Sequence, residues 1–289
     1  MDVIINLNKP MDISSQQAVL KVKRLFNAKK AGHAGTLDPI ATGILIVCLN
    51  QATKVTRFLS DLDKEYIVVM KLGERTDTCD LTGRLLEKKN VFPLKENDIC
   101  EVLKNFVGDI KQIPPMYSAI KVKGQPLYKL ARMGIEIQRP ERPVRIYRID
   151  LIRFDQPYLE LKILCSKGTY IRTLCDDIGN VLHVGAHVIF LKRTRVGNFR
   201  IEDSVSVEEL KCGKDTTYSI DSAISHLSAI MLDEESCNNA RKGMPVIMIT
   251  AKQSASQVKQ YVRLKDPENR LFAIGRLEQD RITVERLLN

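Results

Sequence analysis

Along this chain the hydrophobic positions change period several times, and each change marks an element. Residues 3–8 form a short apolar run closed by Lys9-Pro10, which reads as a strand. Ser14 and Gln17 then stand at capping-box spacing, and Ala18, Val19, Val22, Leu25 and Phe26 recur at helical intervals. Residues 44–49 are apolar on both alternating faces, the pattern of a strand buried in a sheet. A further strand is expected over 66–72, and another over 158–165, where Leu159, Leu161 and Ile163 alternate with Glu160 and Lys162. Leu94, Ile99, Val102, Leu103 and Phe106 fit a helix, and a strand-to-helix change is expected near Tyr170, with the helix running through Gly179. Residues 75–83 read as a polar loop, and 189–191 as a strand continuing into 192–195. From about Leu232 the texture changes to short apolar runs at 245–250, 261–264, 271–277 and 282–287, separated by turn residues, which suggests a small β-barrel. The pattern predicts an α+β chain of two domains, 1–232 and 233–289, a division that 289 residues allow.

Charge adds a partner class. The net charge of +10 favours a polyanion, and the excess is local: residues 111–153 hold ten basic side chains against three acidic ones. Within that stretch residues 124–144 form a basic insertion, in which an amphipathic segment from Leu127 to Met133 is flanked by glycines and prolines. By contrast, the region from Asp233 is nearly balanced, with ten basic and eight acidic residues. Seven widely spaced cysteines with no C-x-x-C pair argue against a disulfide framework or a zinc knuckle. No run approaches the roughly 18 apolar residues of a membrane span, and no secretory leader pattern opens the chain. A reducing cytoplasmic location is therefore expected.

Candidate chemistry concentrates in residues 31–45, where three glycines, His33 and Asp38-Pro39 precede the apolar run. Asp-Pro is common turn punctuation, but a carboxylate among small residues at the mouth of a buried strand is also well placed to act. Phosphate-loop chemistry fits poorly, because no G-K-[ST] ending follows and the carboxylate would repel a phosphate. No G-x-S-x-G is present for acyl hydrolysis. His183 and His187 have the spacing of a metal pair only if both lie on one helix, which Gly185 disfavours, and no metal is expected. An ionised Asp38 needs a cation, and Arg172 is the natural candidate, able to grip it with two bonds. Held so, Asp38 can serve as nucleophile or base.

Residues 32–43 (GHAGTLDPIATG) resemble the signature of the TruB family, the tRNA pseudouridine-55 synthases. Further blocks agree in order: Asn8-Lys9-Pro10, Lys64-Glu65-Tyr66, Leu72-Gly73 with Thr76-Asp77-Thr78, Ile113 through Ala119, Ser166 through Thr173, and Gly185 through Thr194. The resemblance covers roughly residues 1–230. It implies a pseudouridine-synthase-type mixed sheet with flanking helices, and a small PUA-like RNA-binding barrel over 233–289. It also implies isomerisation of uridine 55 in the tRNA T-loop, without a cofactor. Asp38 would be the catalytic carboxylate, Tyr66 would stack on the everted uracil and help remove its C5 proton, and Arg172 would pair with Asp38. Tyr170 and Leu191 would line the uracil pocket, His33 would support the RNA loop, and Lys9 would stand near the pocket. The insertion would clamp the T-arm. Lacking the long extensions of guide-RNA-dependent relatives, the chain is expected to act as a monomer with no obligatory protein partner. The rival reading is an RNA-binding protein that helps tRNA fold, for which Asp38, Tyr66 and Arg172 would not all be needed.

Overall fold

The computed structural model describes residues 1–122, 124–214, 216–247 and 260–288. A ten-stranded mixed sheet forms its centre. The main path runs Thr217–Ser219, Val3–Lys9, Thr42–Leu49, Ala186–Val196, Lys64–Leu72, Tyr158–Cys165, Arg142–Asp155, Gly108–Gln112. Thr42–Leu49 is interior and buried along almost its whole length, which is why its sequence shows no polar face. Lys64–Leu72 alternates buried and half-buried positions, so Lys64, Tyr66, Val68 and Met70 share one face.

Two glycines fix how the layers meet. Gly179, in the helix Ile171–Val181, lies so close to the following strand that a Cβ there would come within 2.4 Å of the Ala186 nitrogen. The helix therefore packs its Ile171, Arg172, Leu174, Cys175 and Ile178 face inward, and Arg172 reaches the core because it shares that face. Gly43, at φ +96°, sits where a Cβ would collide with the Arg193 backbone. It lies in the parallel pairing of Thr42–Leu49 with Ala186–Val196, in register Arg193↔Gly43. Only a residue without a side chain allows that approach.

At the other end, Ser228–Met231, Gln260–Lys265, Leu271–Glu278, Arg281–Leu287 and Val246–Ile247 form a second sheet that curls into a half-barrel. Its first strand lies upstream of residue 233, and Leu232, Val262, Leu264, Phe272 and Ala273 contribute to its core. Of the strand expected over 245–250, Val246–Ile247 is present, and residues 248–250 lie outside the described residues. Arg57, on the helix Thr56–Ser60, ties that helix to the second sheet: its guanidinium stacks on Phe58 and Tyr261 at 4.6 and 4.7 Å and pairs with Glu285 at 2.8 Å.

Two local expectations change. Residues 75–83 are not simply a solvated loop. Glu74–Thr76 pairs with Leu85–Lys88 in a small hairpin, and the turn between them folds under Val188, burying Asp80. The expected 189–191 strand runs from Ala186 to Val196. His183 and His187 do not share a helix, since His183 occupies a turn at φ +62° and His187 lies on that strand with Nδ1 3.1 Å from the Glu74 carbonyl. A short hairpin, Lys121–Val122 with Gln125–Pro126, leads into the basic insertion, which holds the helix Leu127–Arg132, seated by the buried Leu127. Among the described residues no helix is long and apolar enough to cross a membrane.

Candidate active site

Asp38 is held by clamps on both of its neighbours. Ahead of it, the Ser15 hydroxyl accepts a hydrogen bond from the Leu37 nitrogen and donates one to the Leu37 carbonyl, both at 2.8 Å. Behind it, Lys9 Nζ donates to the carbonyls of Pro10 and Ile13 at 2.8 Å and of Pro39 at 3.4 Å. Lys9 is thus buried beneath the loop, outside the cleft lining, and burial lowers its amine to about 8. A carboxylate tied through its flanking peptides keeps its direction without spending its own oxygens.

Those oxygens face Arg172. Arg172 Nε lies 2.8 Å from Asp38 Oδ2, with side chains 5% and 35% exposed respectively. The two-bond grip expected from sequence is absent, because the other donors are committed elsewhere. Nη1 donates to the Thr78 carbonyl at 2.8 Å and to Asp80 Oδ2 at 3.1 Å, and Nη2 donates to the Tyr117 carbonyl at 2.8 Å. Asp80 is itself fixed, its Oδ1 accepting from Thr78 Oγ1, the Thr82 nitrogen and Thr82 Oγ1 at 2.7, 2.9 and 2.6 Å. One guanidinium therefore joins two carboxylates and two carbonyls, a geometry that a planar fork can serve and a point charge cannot. Asp80 is not singled out in the sequence because nothing local marks the 75–83 stretch as buried. The available signal was a carboxylate flanked by hydroxyls at Thr78 and Thr82.

Asp38 and Arg172 open onto a cleft of about 320 Å³ whose walls include Tyr66, Tyr170 and Leu191. Tyr170 is fixed just ahead of its helix by Gln112, which accepts from its nitrogen at 3.0 Å and donates to its carbonyl at 3.3 Å. Burial raises the phenols of both Tyr66 and Tyr170, and for Tyr66 the Arg193 guanidinium beside it opposes the shift. The cleft thus gathers five of the residues singled out in the sequence, Asp38, Tyr66, Tyr170, Arg172 and Leu191, and leaves out Lys9 and His33. His33 lies on the strand Ala31–Ala34, with Nδ1 buried and without a hydrogen-bond partner, and burial and then Arg193 lower its imidazole. Lys64 and Arg193 line the same cleft; in the sequence both fall within blocks that resemble the family, but neither is given a role there. A carboxylate next to a fixed cation, aromatic walls and a volume suited to a small planar ligand fit nucleophilic or basic chemistry.

Residues 23–171 match the model of the TruB family pseudouridylate synthase N-terminal domain, and residues 172–236 match that of the tRNA pseudouridylate synthase B C-terminal domain. The chain is 41% identical to the tRNA pseudouridine synthase B of Haemophilus influenzae (strain 86-028NP), an alignment covering 100% of this chain and 95% of that protein. With the protein of the same name from Clostridium tetani (strain Massachusetts / E88), identity is 43% over 85% of this chain and 86% of the other. Among solved structures, a crystal structure of a Cbf5-Nop10-Gar1 complex superposes with a TM-score of 0.78 at 26% identity, covering 99% of this chain and 85% of that one.

Proposed function

The chain belongs to the TruB family of pseudouridylate synthases, and we propose from that premise that it converts uridine 55 in the tRNA T-loop to pseudouridine, with Asp38 as the catalytic carboxylate. The observation that carries this reading is the Arg172–Asp38 contact at 2.8 Å inside a cleft that Tyr66 and Tyr170 line. In the proposed reaction the target nucleotide swings out of its stack, at a cost of a few kcal/mol that phosphate contacts and aromatic stacking offset. Asp38 then attacks C1′ or takes the C2′ proton, the N1–C1′ bond breaks, and the uracil turns and rejoins through C5. Tyr66 stacks on the ring and assists loss of the C5 proton, while Tyr170 and Leu191 bound the pocket. Arg172 keeps Asp38 ionised and aimed, and Lys9 acts from below by holding the Pro39 carbonyl. His33 supports the RNA loop from the neighbouring strand. Substrate and product are isomers, so the reaction calls on no redox partner or cofactor.

The insertion 124–144 supplies the clamp on the T-arm, with Arg132, Arg139 and Arg142 as its cations, and the half-barrel serves as a second, PUA-like RNA-binding domain. The Cbf5 structure contains Nop10 and Gar1; this chain is proposed to act without protein partners, as a cytoplasmic monomer. The test is a tritium-release assay on tRNA carrying [5-³H]uridine, compared with a transcript in which position 55 is cytidine. Release from the first and none from the second is expected. Equal release from both would refute the assignment of position 55, and none from either would refute the activity.

A further inference from the structure

Two cations in the cleft form no ion pair with a carboxylate among the described residues. Lys64 and Arg193 are 5% and 1% exposed, and both line the cavity. Lys64 Nζ donates to the carbonyls of Ser60 and Leu62. Arg193 donates from Nε to the Ile44 carbonyl at 2.7 Å and from Nη2 to the Gly35 carbonyl at 3.0 Å. Among the described residues neither forms an ion pair; the acids whose fields reach Lys64 are engaged elsewhere, Asp61 with Lys167 at 2.8 Å and Asp63 with the Tyr147 hydroxyl at 3.2 Å. The two side chains pass under the same residue, since a Cβ on Gly35 would meet Arg193 Nη1 at 3.5 Å and Lys64 Cε at 3.7 Å.

Adjacent buried like charges are expensive to maintain. The cost shows in Lys64, whose amine falls to about 8 through burial first and Arg193 second. Backbone geometry nevertheless preserves the pair. Lys64 shares the inward face with Tyr66, and Gly43 gives up a side chain so that Arg193 can approach the Asp38 loop. Carbonyls take two of the three ammonium protons and two of the five guanidinium ones, and the Tyr66 phenol takes a further guanidinium donor, so donors remain for a ligand on both side chains.

We propose that Lys64 and Arg193 hold the negative charge of the uracil ring while it is detached from the ribose. The inference rests on the uridine-isomerase reading above. When the N1–C1′ bond breaks, its electron pair stays with the ring, which becomes a monoanion spread over N1, O2 and O4. The sugar is balanced by Asp38, either as an ester at C1′ or by transfer of the C2′ proton to its carboxylate. The ring charge is consumed when C5 bonds to C1′ and Asp38 is released or returns its proton to C2′. Loss of the C5 proton and protonation of N1 complete pseudouridine. Because this charge is absent from bound uridine, the two cations act on rate more than on affinity.

The experiment compares Lys64→Gln and Lys64→Arg with wild type in single turnover at saturating tRNA, alongside equilibrium binding, using the full chain. The Gln variant should convert uridine about 100-fold more slowly with tRNA affinity within about threefold, and the Arg variant should recover most of the rate. A tRNA with 5-fluorouridine at the target, followed by mass spectrometry of the C-linked nucleoside, should shrink the Gln deficit by about tenfold, because fluorine makes the ring a better leaving anion. If Lys64→Gln fails to fold, Lys64→Arg carries the same test, its residual deficit shrinking with the fluorinated target. A loss expressed wholly in affinity would mean a phosphate contact and overturn the proposal, as would an undiminished deficit with fluorine. Wild type that converts no tRNA would instead condemn the parent reading.

Discussion

Arg172 and the pair Lys64–Arg193 occupy one cleft yet carry their charge in opposite ways. Arg172 is gripped by Asp38 and Asp80 at 2.8 and 3.1 Å, whereas Lys64 is held by backbone carbonyls, and Arg193 by backbone carbonyls and the Tyr66 phenol beside it. The first arrangement is complete before substrate arrives and needs no counterion, which suits a group whose task is to aim Asp38. The second remains unbalanced until something anionic enters, which suits a group that acts on the substrate. Preorganised positive potential of that kind is costly in the free enzyme and useful only along the reaction path.

Removing Arg172 tests the balanced arrangement most severely. We predict that Arg172→Met destabilises the fold by about 3–5 kcal/mol, because Asp80 is left buried without its cation. Arg172→Lys should fold better yet lose about 100-fold in conversion, since one ammonium cannot reach two carboxylates and two carbonyls together. Urea denaturation and single-turnover rates check the two statements. A Lys variant with near-normal rates would mean that the fork geometry is immaterial.

A pH titration sharpens the comparison from the unbalanced side. Lys64 titrates near 8 in the fold against 10.5 unfolded, facing Arg193, Cys165, Asp61 and Asp63. Its protonated form therefore penalises the native state fully below pH 8, and the penalty is relieved as pH rises from about 8 to 10.5. Relative to Lys64→Met, wild type should gain about 3 kcal/mol of stability across that window. Conversion should fall over the same range as the ammonium is lost. Stability and activity moving together would contradict the assigned sign.

Smaller effects are expected outside the cleft. Neutralising Arg132, Arg139 and Arg142 in the insertion should weaken tRNA binding and lower the slope of log affinity against log salt by about 0.7–0.9 for each phosphate no longer neutralised. Fluorescence binding across a salt series measures it, and an unchanged slope would remove the clamp. Arg57→Ala should cost about 1 kcal/mol in thermal unfolding, the value of its stacking on Phe58 and Tyr261. No shift there would show that Arg57 does not tie its helix to the second sheet.

Much of this molecule could be read from its sequence wherever one local rule decided the outcome. Ser14 and Gln17 form the expected capping box, and the interior strand Thr42–Leu49 announced itself by lacking a polar face. Asp38 and Arg172 stood out as chemistry-bearing residues within ordered blocks. Asp80 did not, because nothing local says that the turn between Glu74–Thr76 and Leu85–Lys88 will be covered by Val188. Lys64 and Arg193 escaped notice for a related reason. Alternation with Tyr66 and Leu191 puts them on a buried face, but the expected strand began at Tyr66, and lysine and arginine are seldom buried. The half of the site that stayed hidden is therefore the half whose burial depends on distant strands.

The central claim concerns Asp38, and Asp38→Asn tests it with the least disturbance, since the amide keeps the shape of the side chain and an oxygen for Arg172. Tritium release from [5-³H]uridine tRNA and tRNA affinity should be measured on the same preparation. The account predicts release reduced by about 10⁴-fold or more with affinity within about threefold of wild type. Release at the wild-type rate would contradict it.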